Sequence, residues 1–217
     1  PPLLCVLVFI SSCISGETGC PVANKYQIGS AVSQTAYISH HTAMEYYGVC
    51  DQVYYDVYVS SETPFKEFEF DGYTYCYVAS KCKLGIENVH YSGGVRITDK
   101  ERTTLDSIKD MDKISGIEEV LANIDGFTSL NEEKLTGYLQ EYHNQFLYQK
   151  TGFILYPYRD KLGLSHSFFE MCQSKTGKSK RYLTKEFTNG TYIKEWKLVV
   201  PDEIYKLKNG AFQDDRI

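Results

Sequence analysis

Residues 95–108 read VRITDKERTTLDSI, and the fold turns on them because the periodicity of the chain changes there. Val95-Arg96-Ile97 is strand-like and stops at Thr98-Asp99. Glu101 stands three residues after Thr98, the spacing of a capping box in which each end satisfies the other's orphan backbone donor. A helix is therefore expected from this point, with Leu105 and Ile108 on its apolar face and Arg102 and Asp106 four residues apart. On a solvated face such a pair contributes roughly 0.3–0.5 kcal/mol.

Upstream of this junction the chain reads as β. Residues 51–60 (DQVYYDVYVS), 64–70 (PFKEFEF) and 73–79 (YTYCYVA) carry the aromatic and β-branched content of strands, and Asp71-Gly72 joins the last two as a hairpin. Residues 89–91 and 95–98 add two shorter strands. Earlier still, residues 23–32 and 40–47 read as short helices, the second capped by Ser39 and stopped by Gly48.

Downstream the period is helical. Ser115-x-x-Glu118 and Ser129-x-x-Glu132 repeat the capping-box spacing, a further helix spans 144–162 with Gly152 and Pro157 interrupting it, and another spans 165–172. The chain returns to β over 180–187 and 192–200, with Pro201 ending the last strand. The expectation is an α+β fold, a mixed and mainly antiparallel sheet packed against helices drawn from a central helical segment at about 99–176. Residues 1–22 read as an N-terminal remnant or linker and 23–217 as one domain.

Composition narrows the function classes. A net charge of −5 argues against an extensive phosphate-binding surface. With 19 Tyr and 11 Phe, the aromatic rings are expected mainly to pack in or on the sheet. Seven Cys at 5, 13, 20, 50, 76, 82 and 172 form no C-x-x-C pair, which points to reduced thiols and a cytoplasmic protein. The apolar run 3–10 is too short to span a bilayer and has no preceding Lys or Arg, so no membrane association is expected.

No phosphate-loop, dinucleotide, hydrolase-elbow or zincin motif occurs, and neither a cofactor nor a metal is expected. His40 and His41 are adjacent, so on a helix they diverge by about 100° and cannot share a metal, which leaves them as packed residues or partner contacts. Glu67 and Glu69 share a strand face, as two carboxylates of a metal-dependent nuclease would, but no Lys at a convincing neighbouring position and no second acidic residue at a diagnostic spacing completes that set. Lys175, Lys178, Lys180 and Arg181 form the densest basic cluster and are the candidate contact to phosphate or to an acidic partner.

Three segments, in order, resemble the C-terminal domain of AbiEi-type antitoxins, the regulators of type IV abortive-infection toxin–antitoxin systems. Residues 36–48 (AYISHHTAMEYYG) resemble the family's opening helix. Residues 95–106 resemble its E-R-T-x-x-D signature, with Lys100 where Pro is common, and Arg181-Tyr182-Leu183 with residues 196–201 (WKLVVP) resembles its closing strands. The resemblance implies a bacterial, non-enzymatic antitoxin and transcriptional regulator in phage defence, partnered by a nucleotidyltransferase toxin. It also implies operator DNA binding through a winged-helix domain, which is not evident in this chain. The rival expectation is a metal-dependent nuclease-like domain of restriction-endonuclease-like architecture. The signature residues Glu101, Arg102, Thr103 and Asp106 bring no catalytic role with them. They are expected to form a structural lock in which Arg102 is held by Asp106 or by carbonyls, with Glu101 closing the cap.

Overall fold

Asn24 accepts a hydrogen bond from the Gln27 amide at 2.9 Å while the Gln27 side chain accepts from the Asn24 amide at 2.8 Å, and this reciprocal cap starts helix α1 (Lys25–Ala31). The structure is a computed structural model, and it describes residues 15–16, 23–50, 52–90, 93–114, 116–185 and 189–205. The expected features at 3–10, at Cys5, Cys13 and Cys20, and at the Ser115 cap lie outside the described residues.

After α1 come strand β1 (Tyr37–Ile38), helix α2 (His40–Tyr46) and strands β2 (Asp56–Ser61), β3 (Phe68–Phe70), β4 (Tyr73–Ala79), β5 (Ile86–Val89) and β6 (Val95–Thr98). These six strands make one mixed sheet in the order β3-β4-β2-β1-β6-β5. β1 runs antiparallel to β2 and parallel to β6, β2 runs parallel to β4 over six residue pairs, and β3–β4 and β5–β6 are antiparallel. The β3–β4 hairpin turns on Asp71 and Gly72, at φ +51° and +76°, the doubly left-handed turn that matches strand twist. Ile28, Ile38, Val57, Val59, Tyr75, Val95 and Ile97 pack into one core against this sheet. Tyr75 belongs to that core and stacks on Phe68 at 4.7 Å, so its ring packs as the aromatic content of the strands suggested.

The helical stretch follows: α3 (Lys100–Asp110), α4 (Gly116–Gly126), α5 (Glu132–Tyr142), α6 (Gln145–Leu155), a 3-10 turn (Tyr156–Tyr158), α7 (Arg159–Leu162) and α8 (His166–Ser174). The single helix expected over 144–162 is thus broken at Pro157, whose ring forbids the continued hydrogen bonding, and Gly152 does not break it. A three-stranded sheet closes the chain in the order β7-β9-β8, from β7 (Arg181–Tyr182), β8 (Gly190–Ile193) and β9 (Leu198–Pro201), with a 3-10 turn at Asp202–Tyr205. The strand expected over 192–200 is a hairpin, because Lys197 at φ +50° folds β9 back on β8. The fold is α+β. The chain divides into two compact units, one ending at Thr103 and the other beginning at Thr104, and the span 23–217 covers both.

In the second unit the ring of the single Trp, Trp196, lies over helix α6. A Cβ on Gly152 would stand 2.1 Å from that ring, so only glycine admits the contact. Gln149 donates to the Trp196 carbonyl at 3.1 Å one turn earlier. Leu198 and Val200 are fully buried in β9, and Phe168, Phe169 and Cys172 are buried on α8. Glu132, at the start of α5, accepts from both the amide and the hydroxyl of Ser165, tying two helix starts together.

Candidate functional site

The signature helix begins one residue later than its sequence pattern implies. Asp99, not Thr98, accepts the hydrogen bond from the Arg102 amide, at 2.8 Å. Thr98 is the last residue of β6, and its hydroxyl is engaged by Thr103 Oγ1 at 2.7 Å and lies 3.4 Å from the Ile38 carbonyl. The Ser129 cap shifts likewise to Asn131, which accepts from the Lys134 amide. Ser39 makes no cap either, its hydroxyl being bonded to His40 Nδ1 at 2.8 Å and to Ser60 Oγ at 2.7 Å.

Arg102 is 2% exposed and is among the largest fully buried side chains of the protein. Its Nη1 donates to the carbonyls of Cys82 at 3.0 Å and Leu84 at 2.7 Å, and its Nη2 lies 3.4 Å from the Tyr37 hydroxyl. Tyr37 in turn bonds Ser80 Oγ at 2.8 Å, and the Asp99 amide donates to Gly85 O at 2.9 Å. The connection between β4 and β5 is therefore gripped at Ser80, Cys82, Leu84 and Gly85. A guanidinium suits this role because its charge is satisfied by aligned carbonyl dipoles, with the two N–H groups of Nη1 serving both carbonyls while Nη2 faces the Tyr37 hydroxyl. Arg102 is thus held by carbonyls of the β4–β5 connection.

Around this clasp, Thr103 Oγ1 donates to Thr98 O at 3.1 Å, and Tyr47 donates to the same carbonyl at 2.8 Å. Burial raises the Tyr47 pKa above the ordinary phenol range, and the carboxylates of Glu87, Asp99 and Glu101 add to the rise. Glu101 is buried in the first turn of α3. Asp106, which lies in the second unit, accepts from the Tyr142 hydroxyl.

His40 and His41 are 1% and 4% exposed, so the expectation that they present a partner contact is corrected. His40 takes a left-handed backbone, φ +54°, at the start of α2. His41 stacks on Tyr54 at 4.2 Å, meets the Tyr58 ring edge-on at 4.7 Å, and its Nε2 is 3.1 Å from Asp56 O. Both histidines are packing residues of the first unit. Glu67 and Glu69 are exposed on the solvent side of β3 and its approach, and among the described residues no group of three His, Cys, Asp or Glu is placed to hold a metal ion.

The basic cluster has the opposite character. Lys175, Lys178, Lys180 and Arg181 are all exposed. Lys197 fixes their loop by donating to Thr176 Oγ1 at 3.3 Å and Gly177 O at 3.1 Å. Sequence reasoning missed the two tyrosines beside it. Tyr182 on β7 and Tyr192 on β8 both pair in register with Val199 on β9, so all three share one face of the small sheet, where Val199 is buried and the two tyrosines are 55% and 47% exposed. Lys180 Nζ stands 5.7 Å from one ring centroid and 5.6 Å from the other. The signal was present as Tyr182 and Tyr192 at matching places in two strands, but it becomes legible only once the hairpin is known.

No protein-family model matches this chain, and no curated protein matches it. Its fold is similar to that of the Rv2827c protein from Mycobacterium tuberculosis, seen in a crystal structure, with a TM-score of 0.57 and 11% sequence identity over 92% of this chain and 68% of that one. At that identity the likeness concerns the fold alone. No helix among the described residues is long and apolar enough to cross a membrane.

Proposed function

We propose that this chain is an AbiEi-like antitoxin that counteracts a nucleotidyltransferase toxin by contact. The carrying observation is the ordered resemblance of residues 36–48, 95–106 and 181–201 to one family. Each of these segments occupies a packing joint: the first holds β1 and α2, the second the Arg102 clasp, and the third the small sheet with Trp196 against Gly152. That placement supports a signature kept for architecture, with recognition left to exposed faces. The described cysteines Cys50, Cys76, Cys82 and Cys172 form no disulfide with one another, which supports a cytoplasmic setting.

The test is neutralisation in cells. The reading expects a nucleotidyltransferase to be encoded beside this chain; that enzyme is induced alone and together with it, and growth is followed. Restored growth on co-expression is the expected result. Continued arrest with the chain present at full level would remove the antitoxin reading.

A further inference from the structure

We propose that the exposed face of the β7-β9-β8 sheet is a binding site for single-stranded nucleic acid, on which Tyr182 and Tyr192 each stack one base and the cations around Lys180 hold the intervening phosphates. The inference is independent of the toxin reading, and the two fail separately.

The observations converge on this ligand class. β9 is buried on both sides, Leu198 and Val200 on one and Val199 on the other, and it is on the Val199 side that the exposed Tyr182 and Tyr192 flank it in register. Two strand spacings separate β7 from β8, so the backbones that carry the two rings stand about 10 Å apart across the sheet. The Lys180 ammonium, nearly equidistant from both centroids, sits where a phosphate linking two stacked bases would pass. Residues 175–185 (KTGKSKRYLTK) carry Lys175, Lys178, Lys180, Arg181 and Lys185 and no acidic residue, in a chain whose formal charge is −5. Such a concentration of positive charge directs an anionic ligand to this part of the sheet, where Lys180 is the cation beside both rings.

Exposed aromatics argue for bases and not for phosphate alone. A flat π-face takes any base, and the energy is sequence-tolerant. Sheets that display aromatic side chains between cations take single strands in this way, because the unpaired bases are free to splay onto them. A duplex keeps its bases stacked inside and offers this face only its backbone. The loop is also prepared for the role: the two hydrogen bonds from Lys197 hold residues 176 and 177, so Lys175 and Lys178 flank a fixed segment. Arg181 lies 5.8 Å from the Phe146 ring, which anchors the start of β7 while leaving Tyr182 outward.

The experiment uses the full 217-residue chain. Fluorescence anisotropy follows a labelled oligonucleotide of roughly 12 nucleotides, within the span of known single-strand sites, as oligouridylate and as oligothymidylate beside a duplex of the same length. The single strands are expected to bind more tightly than the duplex. With three lysines engaged, the slope of log affinity against log salt should be about −2. Tyr182→Ala and Tyr192→Ala should each weaken binding about tenfold, whereas Tyr182→Phe and Tyr192→Phe should retain it, since the ring is what stacks. Lys180→Gln should weaken binding and flatten the salt slope by about 0.7. Circular dichroism melting of every variant establishes that the fold is kept. The proposal is overturned if neither strand binds at low salt, if the double alanine variant binds as well as the parent, or if the duplex binds equally. A polyglutamate probe that binds with the same tyrosine dependence also overturns it and makes the face a protein-docking surface.

Discussion

The two units use the same residue chemistry in opposite ways. In the first, a cation and a tyrosine, Arg102 and Tyr37, are fully enclosed and spend hydrogen bonds on the β4–β5 connection, Arg102 on its carbonyls and Tyr37 on the Ser80 hydroxyl. In the second, a cation and two tyrosines, Lys180, Tyr182 and Tyr192, stand in solvent on a small sheet. The difference teaches that residue type does not fix the role. A buried guanidinium must have its donors matched by acceptors or it destabilises the fold, so its neighbours are tightly constrained. An exposed ammonium has water as its alternative partner, so its placement contributes little to stability and is available for a ligand.

The sharpest way to break this comparison is Arg102→Ala, which orphans the carbonyls of Cys82 and Leu84 inside the first unit. A loss of about 3–5 kcal/mol is expected, seen as a fall of roughly 10 °C in melting temperature. Arg102→Lys keeps the charge but not the fork, so it should recover only part of the loss. A melting temperature unchanged in the alanine variant would sink the clasp.

Next in size is Gly152→Val in the second unit, where added carbons collide with the Trp196 ring. A cost of about 1–3 kcal/mol follows from overpacking. Because Trp196 is the single Trp and is 5% exposed, its emission should also move to longer wavelength in this variant. Unchanged emission and stability would mean that the ring does not lie on Gly152.

A smaller effect is expected from pH. Burial, with a lesser push from Glu132, raises the Cys172 thiol from 9.0 to about 12. Its contribution to stability is complete below pH 9 and is lost as pH climbs from 9 toward 12, because only the unfolded chain releases the proton there. Between pH 8 and pH 10 the loss from this one group is about 1.4 kcal/mol. Urea unfolding at the two pH values should show a difference smaller by that amount in Cys172→Ala, and an identical difference would contradict it. The smallest expected effect is that of Tyr182→Ala or Lys178→Ala on stability, within about 0.5 kcal/mol, as suits exposed positions. A larger loss in chemical denaturation would show that the exposed face is structural after all.

How much of this was legible in the sequence depends on whether the controlling contact is local. The Asp71-Gly72 hairpin was, since the turn chemistry lies in the two residues themselves. The helix starting at the VRITDKERTTLDSI junction was also legible, but its cap was misplaced by one residue because Thr98 is claimed by β6 and by Thr103. Ser39 failed as a cap for a similar reason, its hydroxyl being drawn to Ser60 across the sheet. The 192–200 hairpin was hidden because its turn ends on Lys197 and contains no Gly or Asn. The burial of the E-R-T-x-x-D residues was open in sequence, and what decided it were carbonyls about twenty residues upstream that no spacing rule reaches. The basic cluster was visible as a run of charge, whereas its tyrosine partners needed the register of β7, β8 and β9.

The parallel pairing of β1 with β6, Ile38 beside Ile97, carries a consequence for how the protein is made. On an emerging chain β1 and β2 are present well before β6 exists, so one flank of β1 stays open through the synthesis of everything between them. At about 5–20 residues per second that interval lasts several seconds. During it the nascent segment exposes unpaired amides and carbonyls beside an apolar surface, and a ribosome-stalled fragment ending before Val95 is the species on which a chaperone would be expected to act.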